Sequence, residues 1–264
     1  MASRSHPLRG LAAAALVALA VGGCLKRGPA DVTGSTGPVE AGRRDAQAWA
    51  ARFEANPGDG AAAIGYAAAL RQSDQHAQAV AVLQQAAIRN PKHLGLLGAY
   101  GKALADVGRL KEAADVLSRA HLPERPDWRI LSAQGAVADQ MGDHAGAQQY
   151  YEAALRIAPN EPGVLSNLGL SYALAKRLGD AERVLRQASA QPAADGRVRQ
   201  NLAFAYAMNG ELEACLQVSR KDLDEASAQR QLQYFMQLRA LPVELRSAEL
   251  RRNPNFFPQS AASG

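Results

Sequence analysis

Tyr150-Tyr151-Glu152-Ala153-Ala154-Leu155-Arg156-Ile157-Ala158-Pro159 decides the fold, because its small and bulky positions return at a fixed interval on either side. The interval is 34 residues, with no insertion or deletion over five blocks that begin at Gly60, Leu94, Trp128, Pro162 and Gly196. Tyr151 takes the position that Leu83, Leu117 and Leu185 take in other blocks, and Ser219 breaks the series in the fifth. Ala154 corresponds to Ala86, Ala120 and Ala188, with Asp222 as the exception. Four residues before Tyr151, Ala147 matches Ala79, Ala113, Ala181 and Cys215. Earlier in each block a small residue recurs as Ala67, Gly101, Gly135, Gly169 and Ala203. Pro57, Pro91 and Pro159 share one phase; Pro126 and Pro192 fall one residue off it.

In a chain this rich in alanine one match means little, and agreement in several registers means much. A 34-residue period with small, bulky and proline positions in this order resembles the tetratricopeptide repeat (TPR). Small side chains let two antiparallel helices approach closely, and the bulky residue between them fills the remaining space. Proline then ends the second helix and turns the chain. Asp127 and Asp195 stand where first helices should begin, and Pro162 suits a first helical turn. Gly108, Gly142 and Gly210 fall at the turn inside a block, where the fourth block has Lys176 instead. The expected fold is an all-α TPR solenoid of about five helix-turn-helix repeats with flanking capping helices. Trp49 and Phe53 mark a helix before the array. Leu232, Phe235, Met236 and Leu238 mark another over 222–240.

The remaining segments divide by composition. Residues 1–23 read as a lipoprotein signal peptide: Arg4 and Arg9 are followed by an apolar stretch from Leu11 to Val21. Val21-Gly22-Gly23-Cys24 then resembles the bacterial lipobox, in which the Cys24 thiol takes the lipid. By the same resemblance, Leu25 after the cysteine implies the outer membrane, with the chain facing the periplasm. Residues 24–41, rich in Gly, Pro, Ser and Thr, read as a flexible linker, 42–240 as the solenoid with its caps, and 241–264 as a disordered tail.

Composition narrows the function. Apolar residues make up 47% and aromatic residues 5% of the 264, which favours helices over sheets. Two cysteines build no disulfide framework, and no apolar run reaches the ~18–20 residues of a membrane-spanning helix. Two of the five net positive charges lie in the leader, and the rest are scattered, so no nucleic-acid surface is expected. His6, His76, His93, His121 and His144 form no ligand spacing with one another or with cysteine. Around Gly101-Lys102-Ala103 the phosphate-loop pattern fails at Leu96 and Ala103. No nucleophile motif is present, so neither an enzyme, nor a cofactor, nor a small-molecule substrate is expected.

Tyr150 to Pro159, Leu165-Ser166-Asn167-Leu168-Gly169-Leu170-Ser171-Tyr172-Ala173-Leu174 and Arg197-Val198-Arg199-Gln200-Asn201-Leu202-Ala203 resemble the TadD-like TPR lipoproteins of tight-adherence (Flp) pilus assembly. The likeness extends over roughly 60–240 and includes Arg220-Lys221-Asp222-Leu223 and Tyr234. It implies a protein-interaction adaptor, or a pilotin, beside the outer-membrane secretin, with protein partners of the pilus machinery. A TPR lipoprotein of another envelope machine, for outer-membrane protein insertion or cell-wall synthesis, shares every feature read from the residues.

TPR resemblance places the partner on the concave groove lined by the first helices. Its positions here are Arg129, Ser132, Ala136 and Asp139, then Ser166, Asn167 and Leu170, then Arg197, Gln200, Asn201 and Phe204, with Arg71 and Lys102 earlier. Leu170 and Phe204, one period apart, are expected to form an apolar strip flanked by Asn167 and Asn201. The basic groups are dispersed in sequence, which argues against a tight clamp for a carboxylate.

Overall fold

The computed structural model describes residues 38–242, 245–246 and 249–250, with side chains from residue 45 onward. Helix α1 (Pro38–Ala55) precedes five pairs: α2 (Gly60–Gln72) with α3 (His76–Arg89), α4 (Leu94–Asp106) with α5 (Leu110–Ser118), α6 (Trp128–Gln140) with α7 (His144–Ile157), α8 (Pro162–Leu174) with α9 (Leu178–Ser189), and α10 (Gly196–Asn209) with α11 (Leu212–Ser219). Helix α12 (Glu225–Ala240) follows. Each first helix starts on the first residue of its 34-residue block, and each second helix starts sixteen residues later. Apart from an isolated bridge between Leu122 and Arg125, the described residues form no β-structure. The fold is an all-α solenoid of five helix pairs with a helix at each end.

The local chemistry explains the boundaries. The side chains of Asp59, His93, Asp127 and Asp195 accept hydrogen bonds from backbone N–H groups in the first turns of α2, α4, α6 and α10. Helix α8 uses Pro162 at its first turn instead, and no side chain bonds its leading N–H groups. Between the helices of every pair one residue is left-handed: Asp74, Gly108, Gly142, Lys176 and Gly210, all with φ between 59° and 91°. Lys176 therefore takes the conformation that glycine takes elsewhere.

Inside each pair the small positions do what the period requires. Ala79, Ala113, Ala147, Ala181 and Cys215 are completely buried. A Cβ on Gly101 would stand 2.6 Å from Leu117, and one on Gly135 would stand 2.6 Å from Tyr151. Gly169 is similarly pressed by Leu185. Bulky side chains from the second helix thus fill the space left by the glycine, and the axes approach.

The apolar core runs along the array as three successive clusters. The first spans α1 to α6, the second α6 to α10, and the third joins α8, α10 and α11 to α12. Two boundaries differ from the sequence reading. Helix α1 begins at Pro38, so the linker assigned to 24–41 gives up its last four residues to helix. The tail assigned from 241 is not wholly loose: Leu250 is buried in the third cluster, and an Arg246 guanidinium N–H donates to the carbonyls of Arg239 and Leu241 at 3.0 Å each. The open end of a solenoid leaves apolar surface, and this segment covers part of it. Cys24, the signal peptide and the last part of the tail, 251–264, lie outside the described residues.

Candidate functional site

The first helices of successive pairs lie side by side, and a pocket of about 210 Å³ opens across four of them. Lys102 enters from α4; Arg129, Ser132, Ala133 and Ala136 from α6; Pro162, Gly163, Val164 and Asn167 from α8; Arg197 and Val198 from α10. Trp128, Glu161 and Asp195 complete the rim where α6, α8 and α10 begin. Alanine and valine make the floor, and the charged groups stand around it.

Five of the expected groove positions and Lys102 meet here: Arg129, Ser132, Ala136, Asn167 and Arg197. Arg129 lies over the Trp128 ring, its guanidinium carbon 4.5 Å from the ring centroid. Lys102 is half-buried on α4. Burial lowers its pKa below the ordinary lysine value; repulsion from Arg71 and Arg129 acts in the same direction, against Asp127 and Asp106. None of Lys102, Arg129 and Arg197 forms an ion pair with any described residue. The basic groups that are scattered in sequence are therefore gathered in space.

Other expected positions are not in the groove. Leu170 and Phe204 are core residues of the third cluster, at 3% and 2% exposure. Phe204 meets Phe235 of α12 edge-on, with ring centroids 5.5 Å apart. The expected apolar strip is thus buried in the core, with Phe204 against the terminal helix. Asn201 and Ser166 are buried as well, and the Asn201 amide donates to the Ser166 hydroxyl at 2.9 Å. Asn167 donates to Ser132 at 3.5 Å in the same way. Both bonds join residues 35 apart, as does the ion pair of Arg71 with Asp106 at 2.5 Å. One period plus one residue is the step between facing positions on adjacent first helices, so these polar groups tie repeat to repeat, Asn167 and Ser132 doing so in the wall of the pocket. Gln200 lies in a separate crevice among α10, α11 and α12, beside Asp222 and Gln231.

Asp139 also leaves the groove. It is 4% exposed and is the hub of a buried network: His144 Nδ1 lies 2.8 Å from Oδ1, the Ser171 hydroxyl donates to Oδ1 at 2.8 Å, and the Tyr151 hydroxyl donates to Oδ2 at 3.1 Å. Burial raises the carboxyl above the usual aspartate value, with the hydrogen bonds from His144, Ser171 and Tyr151 opposing it. Burial also drives the Tyr151 hydroxyl well above the ordinary tyrosine value, helped by the charge of Asp139. The network links α6, α7 and α8 and holds two repeats in register.

Sequence reasoning overlooked Trp128, Glu161, Pro162, Gly163 and Asp195. Their signal was available: each sits at a block boundary, and the boundaries of three successive first helices fall on one side of the groove.

A tetratricopeptide-repeat family model matches residues 140–200, and a model described as anaphase-promoting complex, cyclosome, subunit 3 matches residues 43–120. The helix pairs have the tetratricopeptide-repeat fold. Among solved structures, this TPR solenoid is similar to PilW, described as a widely conserved type IV pilus biogenesis factor (TM-score 0.64, 17% identity, 75% of this chain and 92% of that one). It is also similar to PilF of Pseudomonas aeruginosa (TM-score 0.55, 20% identity, 71% and 89%). The Cut9–Hcn1 tetramer of APC/C aligns at a TM-score of 0.60 over 75% of this chain and 40% of that one, with 20% identity. At these identities the likeness carries the fold alone. In sequence, 166 residues are 33% identical to cellulose synthase 2 operon protein C of Komagataeibacter xylinus, covering 58% of this chain and only 12% of that protein.

Proposed function

We propose that this TPR protein is a lipid-anchored adaptor of the outer membrane that faces the periplasm and docks a protein partner of a pilus assembly machine in the groove of its first helices. The pocket carries the reading: four successive first helices contribute to one concavity whose cations form no ion pair with the described residues. TPR scaffolds work by presenting such surfaces. The lipobox at Cys24 supports the anchor, and the resemblance to TadD-like lipoproteins supports the tight-adherence pilus, with the secretin as the first partner to seek. One similar structure, PilW, is described as a type IV pilus biogenesis factor, which is consistent with this choice.

The test is site-specific photocrosslinking in native membranes. A photoreactive residue in place of Ser132, in the pocket, should capture the secretin or a protein bound to it. The same residue in place of Ile88, 74% exposed on α3 and absent from the pocket, should not. Equal capture from both positions, or none from Ser132, removes the groove from the account. The cellulose synthase operon relative favours a second reading, an adaptor of another envelope machine. Capture of such a machine from Ser132 would select it.

A further inference from the structure

We propose that Lys102, Arg129 and Arg197 seat the carboxylates of an acidic segment of the docked protein, so the groove selects its partner by negative charge. This rests on the docking reading above and specifies its chemistry.

Charge complementarity argues for it. The three cations come from three different repeats, yet line one pocket of about 210 Å³. Arg199, two residues after Arg197 on the same helix, is neutralised by Asp222, and Arg71 on α2 by Asp106. The pocket cations have no such carboxylate in the described chain. The nearby acids sit at helix starts and form no ion pair with these cations: Asp195 accepts from the Val198 N–H, and Asp127, adjacent in sequence to Trp128, accepts from the Arg129 N–H and attracts Lys102 from a distance. Glu161 stands at the rim. Helix α8 adds positive potential, because its first turn reaches the pocket at Pro162 and Gly163 with no side-chain cap on its N–H groups. A half-buried ammonium repelled by the guanidinium groups of Arg71 and Arg129 is a costly arrangement in isolation and a favourable one around carboxylates. The floor of Ala133, Ala136 and Val164 receives the apolar part of the same segment. Lys102 gives the site its sign, and Arg129, stacked on Trp128, gives it direction.

The experiment uses the full chain in mild detergent and a display library of random dodecapeptides. Captured peptides should be enriched in Asp and Glu, and the Asn/Gln twin of the tightest one should bind about ten-fold more weakly. Lys102→Gln and Arg197→Gln should each remove most of that difference, while Arg119→Gln, whose arginine is exposed and paired with Asp115 on α5, leaves it intact. Unchanged far-ultraviolet dichroism of the variants confirms that they are folded. An uncharged twin that binds as well as its parent overturns the charge assignment and leaves the docking groove standing. Inorganic phosphate that binds by calorimetry and displaces the peptide completely overturns the protein segment in favour of a phosphate. Failure to capture any peptide while Ser132 still crosslinks its partner overturns the acidic segment alone; failure of both removes the docking reading too.

Discussion

Asp139 shows how a residue can be polar and central without belonging to a site. Its two oxygens receive the hydroxyls of Ser171 and Tyr151 and lie against His144, so removing the carboxyl strands buried donors. Asp139→Ala should lower stability by about 3 kcal/mol in urea unfolding. Asp139→Asn tests the ionisation. An aspartate whose folded pKa is raised holds its proton more tightly in the native state, so its contribution to stability falls as pH rises from the ordinary carboxylate range through the raised value. The asparagine variant lacks that decline, and between about pH 4 and pH 7 it should gain stability relative to wild type. An unchanged difference across that window would show that the carboxyl is not perturbed. Phe204 is a residue of the opposite kind, apolar and almost fully covered. Phe204→Ala should cost about 3–5 kcal/mol through cavity formation, with partner capture lost only as folding is lost.

At the scale of the element, the turn inside each helix pair demands a left-handed residue, and the chain meets the demand with three glycines, one aspartate and one lysine. Lys176→Gly should raise stability by about 1 kcal/mol, and Gly142→Ala should lower it by about the same amount, both read as shifts in urea midpoint. The helix contacts make a sharper demand. A methyl group on Gly135 would collide with Tyr151, so Gly135→Ala should destabilise by about 1–2 kcal/mol despite the better helix propensity of alanine. These features were legible in sequence because they depend on neighbours within one repeat, which the 34-residue period fixes. Burial on the groove side was not. In the last four blocks the ninth position holds Lys102, Ala136, Leu170 and Phe204: the first two line the pocket, and the last two are buried in the third cluster. What decides between them is which element lies above, and α12 starts at Glu225, out of phase with the repeat, so the period could not announce it. The degenerate end of the fifth block has the same explanation: Ser219 donates to Gln231 of α12 at 2.6 Å, and Asp222 pairs with Arg199.

At the largest scale residues 38–242 form a one-dimensional stack, in which each repeat is held mainly by the next. The proposed anchoring to the outer membrane rests on a separate feature, the lipobox-like sequence that ends at Cys24. Cys24→Ser should release the protein from the outer membrane or leave it as an uncleaved precursor. If the variant still sediments with outer membrane in high salt, the anchor lies elsewhere. The stack itself predicts how damage spreads. Its core is divided into three clusters in order along the chain, and α12 closes the last through Ala228, Leu232, Phe235 and Leu238. Phe235 is completely buried and meets Phe204, so Phe235→Ala opens a cavity between the cap and the fifth repeat. In a globular domain with one core, such a cavity lowers protection everywhere. Here the loss should be graded: amide hydrogen exchange should quicken most in α10 to α12, less in α8 and α9, and hardly at all in α2 to α5. The pocket, built on α4 to α10, should weaken first at Arg197 and last at Lys102, so the variant keeps part of its charge selectivity while its end frays. Uniform acceleration across all helices would mean that the three clusters unfold as one, and that this solenoid is a single cooperative unit.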